Sequence, residues 1–229
     1  MSINVFLPCR KGSERVPKKN IKPFAQFNNG LIEIKLKQLL KVKQIDKIFL
    51  STNDDEILDY AASLNEPKII LHKRDEGLSS SQTSTDKLVA HALELIESGE
   101  ILWTHVTSPF LSTQSYDQII EKYLEVKKQG YDSLMTTNLI HGFLWNKNKP
   151  INYDRTKEKW PRTQTLDPIH EINSAVFLAS AGIYQAFDDR IGQKPYLYSL
   201  DKIQGFDIDW EQDFMIAEVI QKEIYKSEC

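Results

Sequence analysis

Pro8-Cys9-Arg10-Lys11-Gly12-Ser13-Glu14-Arg15-Val16-Pro17-Lys18-Lys19-Asn20-Ile21-Lys22-Pro23 is the stretch on which the reading of this chain turns. From Arg10 to Lys22 it carries six basic side chains, Arg10, Lys11, Arg15, Lys18, Lys19 and Lys22, against one acid, Glu14. The apolar run over residues 3–7 that precedes it reads as a buried strand. Gly12 permits a sharp turn and close approach to a ligand, and Ser13 adds a hydroxyl and an exposed amide. Such a loop, leaving the carboxyl end of a first strand, can ring a polyanion with backbone N–H groups and cationic heads. A nucleoside triphosphate is the simplest ligand of that kind, and a solvated basic turn is the plain alternative. Neither Gly-x-x-x-x-Gly-Lys-Ser/Thr nor Gly-x-Gly-x-x-Gly occurs in the chain.

Outward from this loop, strand-like runs alternate with helix-like ones, which predicts a largely parallel sheet with crossover helices. Helical spacing of Leu31, Ile34, Leu36, Leu39, Leu40 and Val42 predicts a helix over 31–42, and 47–50 a second strand. Ser51-Thr52-Asn53-Asp54 supplies turn and capping groups for a helix over 55–64 closed by Pro67. A short strand over 69–71 leads into a polar loop over 72–81. Leu88, Ala92, Leu93 and Ile96 mark a helix face that Thr83 or Thr85 can cap. A central strand over 101–106 ends at Thr107-Ser108-Pro109. Ser115 with Gln118 fits a capping box for a helix to about residue 128, and 133–137 is another strand.

From residue 139 to 172 the alternation breaks down, with Trp145, Trp160, Pro150, Pro161 and Pro168 and no sustained period. A structureless loop of that length inside a compact domain is improbable, so an extension that packs on a second subunit is expected, with an unpartnered surface hairpin as the alternative. Strand pattern returns over 173–178, then a helix over 181–187, a strand over 196–200, a strand-turn over 205–209 and a helix over 211–226.

At 229 residues the chain suits one α/β domain spanning 1–229 with 139–172 as an excursion. A net charge of −3 argues against a general nucleic-acid binder, so the basic cluster is local and suits a small anion. Cys9 and Cys229 make neither a disulfide framework nor a metal-ligand spacing, in keeping with a reducing cytoplasm. The apolar start is too short for a signal peptide, its positive charges lie after it, and no run approaches a membrane span.

Ligands of open α/β sheets gather outside the carboxyl ends of the strands, where the basic loop, residues 74–86, Thr107-Ser108-Pro109 and Asp207-Ile208-Asp209 all fall. Asp207 and Asp209, at i and i+2 of an extended segment, point to the same side. Paired carboxylates of this kind suit Mg²⁺, which completes its shell with water and phosphate oxygens. By itself Asp-x-Asp is also simply a polar strand end.

The amino-terminal stretch resembles the signature of the CMP-sugar synthetases, the acylneuraminate and Kdo cytidylyltransferase family, roughly Pro/Leu-Ala-Arg-x-x-Ser-Lys-x-x-Pro-x-Lys-Asn. Arg10, Ser13, Pro17, Lys19 and Asn20 fall on that pattern, Cys9 stands for the usual Ala, and Glu14 replaces a frequent Lys beside Arg15. Gly205-Phe206-Asp207-Ile208-Asp209-Trp210-Glu211-Gln212-Asp213-Phe214-Met215-Ile216-Ala217-Glu218 resembles the family's Ser-Ile-Asp-Ile-Asp-x-x-x-Asp-Leu-x-x-Ala-Glu close. Three inner blocks match in order: Arg74 with Leu78-Ser79-Ser80 and Thr83-Ser84-Thr85-Asp86, then His105 to Leu111, then Trp160 to Gln164 with Ile172 to Phe177.

The resemblance implies a Rossmann-like nucleotidyltransferase domain with a mostly parallel mixed sheet, flanked by helices and extended by a homodimerising arm. It implies CTP and an acidic 2-keto-3-deoxy sugar as substrates, Mg²⁺ as cofactor, no nucleic acid, no membrane and a cytoplasmic setting. Arg10, Gly12, Ser13, Arg15, Lys19, Asn20, Arg74 and Thr85 would bind the nucleotide, with Arg74, Thr85 and Asn20 at the base. His105, standing where a Gln is common, with Arg162 and Asn173, would meet the sugar; Asp207 and Asp209 would hold the metal; Arg10, Lys19 and Asp209 would act in catalysis. A lone histidine is equally a satisfied core residue, and Arg74 and Arg162 equally solvated surface cations. Three rivals stay open at this point: a nucleotide-sugar-dependent glycosyltransferase with an Asp-x-Asp metal site, a same-fold enzyme using another base or sugar phosphate, and a non-catalytic nucleotide binder.

Overall fold

The computed structural model describes residues 2–80 and 83–228. Among the described residues seven strands form one sheet, with six α-helices on its two faces. The strands are β1 (Ile3–Pro8), β2 (Lys47–Thr52), β3 (Ile69–Lys73), β4 (Glu100–Thr104), β5 (Ser133–Ile140), β6 (Ile169–Ser180) and β7 (Pro195–Leu200). Between and after them lie α1 (Gly30–Lys41), α2 (Asp55–Ser63), α3 (Thr85–Leu95), α4 (Thr113–Lys127), α5 (Ala181–Phe187) and α6 (Glu211–Glu228). Strand order is β3-β2-β1-β4-β6-β5-β7, and every pairing is parallel except those of β6 with β4 and with β5. The expected mixed, mostly parallel sheet is therefore present, with β6 as the single reversed strand.

β1 and β4 are buried on both faces, which is why they read as continuous apolar runs and not as alternations. Beneath one face Leu31, Leu36, Leu39, Leu50, Tyr116, Ile120 and Leu178 pack together, and on the other Phe6, Val89, Trp103, Phe177 and Tyr184. The strand order reverses between β2-β1 and β4, so the carboxyl ends of β1 and β4 diverge and leave a crevice.

Several local expectations shift. α3 is capped by Ser84, not Thr83 or Thr85, and α4 by Ser112, whose hydroxyl accepts the Ser115 N–H at 3.1 Å. Ser115 thus sits one turn inside, because Ser112 follows the Pro109 turn and is the earlier hydroxyl able to reach a free N–H. α2 stops at Ser63, and Asn65 takes φ +49 well before Pro67. The polar loop after β3 contains a 3-10 turn, Glu76–Leu78, and its last residue, Ser81, lies outside the described residues, as does Cys229. Residues 205–209 form no strand; they run as an extended connection into α6.

The excursion is shorter and better organised than its sequence suggests. Its two ends are continuations of β5 and β6, which pair down to Ile140 with Ile169. Residues 141–168 between them fold on Asn152, whose amide donates to the Gly142 and Asp167 carbonyls and accepts the Leu144 N–H. Around it Phe143 meets Tyr153 and Trp160 edge-on, and Arg155 lies over Trp145 and Trp160. This cluster stays exposed, with Trp160 at 66% and Ile151 at 56%.

Candidate active site

The basic loop leaves β1 and folds back across the carboxyl ends of the strands. Gly12 sits at φ +81 with open space where a Cβ would be, so glycine is required there for backbone conformation alone. The loop is pinned from behind: Lys11 N–H donates to Asn53 Oδ1 at 2.9 Å, and Asn20 Nδ2 donates to the Arg10 carbonyl at 3.1 Å. A cleft of ≈ 470 Å³ lies in front, lined by Pro8, Cys9, Arg10, Ser13, Glu14, Arg15, Lys19, Asn20, Arg74, Leu88, His105, Val106 and Thr107. Arg10, Ser13, Arg15, Lys19, Asn20 and Arg74 are thereby brought to one cavity, which joins β1, β3 and β4.

Arg74 is 4% exposed. Its Nη2 donates to the Cys9 carbonyl at 2.5 Å and its Nε to Ser79 Oγ at 3.1 Å, while Nη1 is buried without a partner. Burial depresses its pKa. One edge of the guanidinium fork is thus anchored and one donor is left over, an arrangement suited to a fixed planar acceptor. Thr85 opens α3, is exposed and does not line the cleft. Cys9, buried beside Arg74, has its thiol pushed up to about 12 by desolvation and is inert at neutral pH.

Lys19 links the loop to the twin acids. Its Nζ donates to the Ile208 carbonyl at 2.5 Å and lies 3.9 Å from Asp209 Oδ1. Burial lowers its pKa, against the opposing pull of Asp209 and Asp207. Arg15 closes on Asp209 Oδ1 at 2.7 Å, with its guanidinium over the Trp210 ring. Glu14 lines the same cleft beside Arg15. Asp209 and Trp210 N–H groups both donate to Asp213 Oδ2, which fixes the entry to α6.

Asp207 is the more enclosed acid. Burial raises its pKa; a hydrogen bond from the Thr107 side chain and the charge of Lys19 work the other way. The Ile208 N–H donates to the Thr107 carbonyl at 2.9 Å, so the acid pair is stitched to the turn after β4. Asp207 Oδ1 is buried with no hydrogen-bond partner. An orphaned, hard carboxylate oxygen beside a second carboxylate is the donor set that suits Mg²⁺, with phosphate and water supplying the remainder. Among the described residues no cluster of three or more acidic, histidine or cysteine side chains could hold a metal without such help.

On the far side of the acids lies a second cavity of ≈ 540 Å³, lined by Asn138, Leu139, Ile140, His141, Glu171, Ile172, Asn173, Lys202, Gly205, Phe206, Asp207 and Asp209. The pairing of β5 and β6, which carry Asn138 and Asn173, shifts register between Met135 and Thr137, and Ser174 takes φ +58. Asn173 is held there by the Thr136 hydroxyl at 2.7 Å and donates to Asn138 Oδ1 at 2.9 Å. A Cβ on Gly205 would lie 1.9 Å from Asn138 Oδ1, so this glycine allows the approach of both amides.

The remaining residues named for the sugar do not join Asn173. His105 accepts from Trp103 Nε1 at its Nε2, so its Nδ1 carries the proton and donates to the Ser174 carbonyl, each at 2.9 Å. With both nitrogens engaged and burial pushing its pKa down to about 4, it is a neutral, half-buried group on the wall of the first cleft and not of the cavity of Asn173. Arg162 is exposed at the start of the 3-10 turn Thr163–Thr165 and lines neither cavity. Sequence reading missed Asn138, Asp213, Thr107 as the partner of Asp207, and the buried Lys35. Asp213 falls on the last aspartate of the family's closing pattern and Thr107 lies at a strand end, while Lys35 shows as a charge on the i, i+4 apolar stripe between Leu31 and Leu39.

A family profile described as cytidylyltransferase matches residues 5–227. The chain belongs to the cytidylyltransferase family. Among its relatives this cytidylyltransferase is 24% identical over 229 residues to the pseudaminic acid cytidylyltransferase of Campylobacter jejuni subsp. jejuni serotype O:2, with 97% of each chain covered. It is 22% identical to the N-acylneuraminate cytidylyltransferase of Escherichia coli O18:K1:H7, covering 96% of this chain and 52% of that one. The solved CMP:2-keto-3-deoxy-manno-octonic acid synthetase complexed with CTP superposes with a TM-score of 0.67 at 12% identity, over 98% of this chain and 100% of that one. A 4-diphosphocytidyl-2C-methyl-D-erythritol synthase from Anaerococcus prevotii gives a TM-score of 0.68 at 13% identity, with 96% of each covered. Both structural likenesses speak for the fold.

Proposed function

We propose that this cytidylyltransferase joins the CMP unit of CTP to an acidic 2-keto-3-deoxy sugar, sialic-acid-like or Kdo-like, and releases pyrophosphate. The observation that carries this reading is the meeting of Lys19, from the basic loop, with the Asp207–Asp209 segment, at the wall between two cavities. Triphosphate fits the cationic side and the acceptor the side of Asn173 and Lys202. The sugar's anomeric hydroxyl, losing its proton, attacks the α-phosphorus in line, and the bond from that phosphorus to the α,β-bridging oxygen breaks to free pyrophosphate. Arg10, Ser13 and Lys19 orient the phosphates and neutralise charge growing on the leaving group, so catalysis is mainly positioning and electrostatics. Asp207 and Asp209 would hold Mg²⁺, which when bound neutralises phosphate oxygens. Arg74, through its spare Nη1, would grip the carbonyl edge of the base, with Asn20 below it.

Homodimerisation through residues 139–172 belongs to the same proposal. What supports it is the exposed cluster of Phe143, Trp145, Ile151 and Trp160, a larger apolar surface than a lone hairpin needs. In such a dimer Arg162, idle in its own protomer, would be free to serve the partner's acceptor site. Among the described residues no helix is long and apolar enough to cross a membrane, and action in the cytoplasm is part of the proposal.

The test is incubation of the purified protein and Mg²⁺ with each nucleoside triphosphate and a panel of nonulosonic and octulosonic acids, read by pyrophosphate release and product mass. Pyrophosphate and a CMP-sugar from CTP and at least one acid are expected. Turnover confined to another triphosphate, or to a sugar-phosphate acceptor, would overturn the reading.

A further inference from the structure

Helix α1 carries one charge on its innermost face. Lys35 is fully buried, and its Nζ donates to the Ser108 carbonyl and to the Tyr116 hydroxyl, both at 2.7 Å. The Tyr116 hydroxyl is in turn 2.9 Å from Thr104 Oγ1, which donates to the Ala175 carbonyl at 2.7 Å. One amine therefore ties α1 to α4, to the end of β4 and, through Thr104, to β6. Packing alone does not call for it, since an apolar side chain of similar volume usually serves a core as well or better.

What the amine holds is the turn that follows β4. Gln38, nearly one helical turn further along α1, donates to the next carbonyl, Pro109, at 2.7 Å, so α1 grips two successive peptide units. The residue just before them, Thr107, accepts the Ile208 N–H and bonds the Asp207 carboxylate. Lys35 feels the Asp207 charge directly, although no hydrogen bond joins them. Its donors suffice for both of its partners whether the amine is charged or neutral.

We propose that Lys35 is a positioning residue for cation capture by Asp207: by holding the Ser108 carbonyl it sets Thr107, and through Thr107 the direction of the unpartnered Asp207 Oδ1. The inference rests on the proposed assignment of Asp207, in the acid segment between the two cavities, to the metal. Partners that orient a metal ligand commonly matter to affinity by about tenfold or more.

Mn²⁺ binding in the presence of CTP, followed by electron paramagnetic resonance, tests it on the full chain. Lys35→Met is expected to fold and to bind Mn²⁺ about tenfold more weakly, with the Mg²⁺ needed for half-maximal turnover rising by a similar factor. A merely structural lysine would lower the urea midpoint and leave Mn²⁺ affinity alone, and that result overturns the proposal. Asp207→Asn is run beside it. If that variant loses Mn²⁺ affinity and Lys35→Met does not, the inference fails by itself; if neither changes, the assignment of Asp207 fails and the inference with it. Should Lys35→Met not fold, Tyr116→Phe, which removes one of the amine's two anchors, is read in its place. Weaker Mn²⁺ binding there supports the proposal, and unchanged binding overturns it.

Discussion

Lys19 Nζ lies 3.9 Å from Asp209 Oδ1, and this contact brings the cationic loop after the first strand against the acidic segment that precedes the last helix. Lys19 is 8% exposed, so its charge is delivered to the cleft and not shared with bulk water. Arg15 reaches the same carboxylate oxygen at 2.7 Å.

Lys19→Ala is expected to lower turnover by about 100-fold or more, the scale of losing one preorganised charge stabiliser. Circular dichroism and a urea melt establish that the variant is folded. Near-normal turnover in a folded variant would remove Lys19 from the mechanism.

Asp209→Asn keeps the shape of the side chain and removes its charge. Mg²⁺ should then be bound more weakly, and the concentration for half-maximal activity should rise by about tenfold or more. A titration of activity against Mg²⁺ that superposes on the parent's would argue against Asp209 as a ligand.

Arg74→Lys replaces a fork with a point charge at a site where Nη1 is left unpartnered. The KM for CTP is expected to rise by about tenfold or more, the size of a lost charged hydrogen bond, with discrimination against UTP reduced. Some loss of stability should accompany it, because the Cys9 carbonyl and Ser79 lose a donor. Steady-state kinetics with both nucleotides measures the first effect, and unchanged nucleotide preference would separate Arg74 from the base.

His105 supplies a pH signature. Its folded pKa is pushed down to about 4 from an ordinary 6.5, so the native state binds fewer protons than the unfolded chain between those values. Its contribution to stability is therefore full above the unfolded pKa and is lost as pH falls toward about 4. Urea midpoints at about pH 7.5 and about pH 5 should diverge more in the parent than in His105→Gln. Equal divergence in the two would show that other groups set the acid limb.

Trp160→Asp places a charge in the exposed aromatic cluster where the second subunit is proposed to sit. Light scattering of the parent should give a dimer mass and of the variant a monomer mass, in line with the weight of aromatic anchors at interfaces. A monomeric parent would return residues 141–168 to the role of a surface arm.

Much of this was legible before any coordinates. Strand and helix order followed from periodicity, because β1 and β4 are buried on both faces and read as unbroken apolar runs, while α1 and α4 repeat at helical spacing. Arg10, Ser13, Lys19 and Asn20 stood out through composition and family pattern. Less was legible where two hydroxyls compete for one cap, as Ser112 and Ser115 do, since propensity does not rank neighbours of the same chemistry. The ends of residues 139–172 were illegible because β5 and β6 extend by pairing with each other, a long-range choice that leaves no local period.

The chain's residue order alone determined that strands and helices alternate, that one loop concentrates positive charge and that two aspartates stand two apart near the end. Folding decided which of those charges meet. Lys19 reaches Asp209 and Arg162 does not reach either cavity, because contact between distant segments depends on strand order and on the crossing of helices over the sheet. Folding likewise turned Lys35 from a flaw in an apolar stripe into a buried anchor, and gave both ring nitrogens of His105 a partner at the wall of the cleft. Burial and hydrogen-bond partners set the chemistry of both, and neither is written in the identity of a residue or its nearest neighbours in sequence.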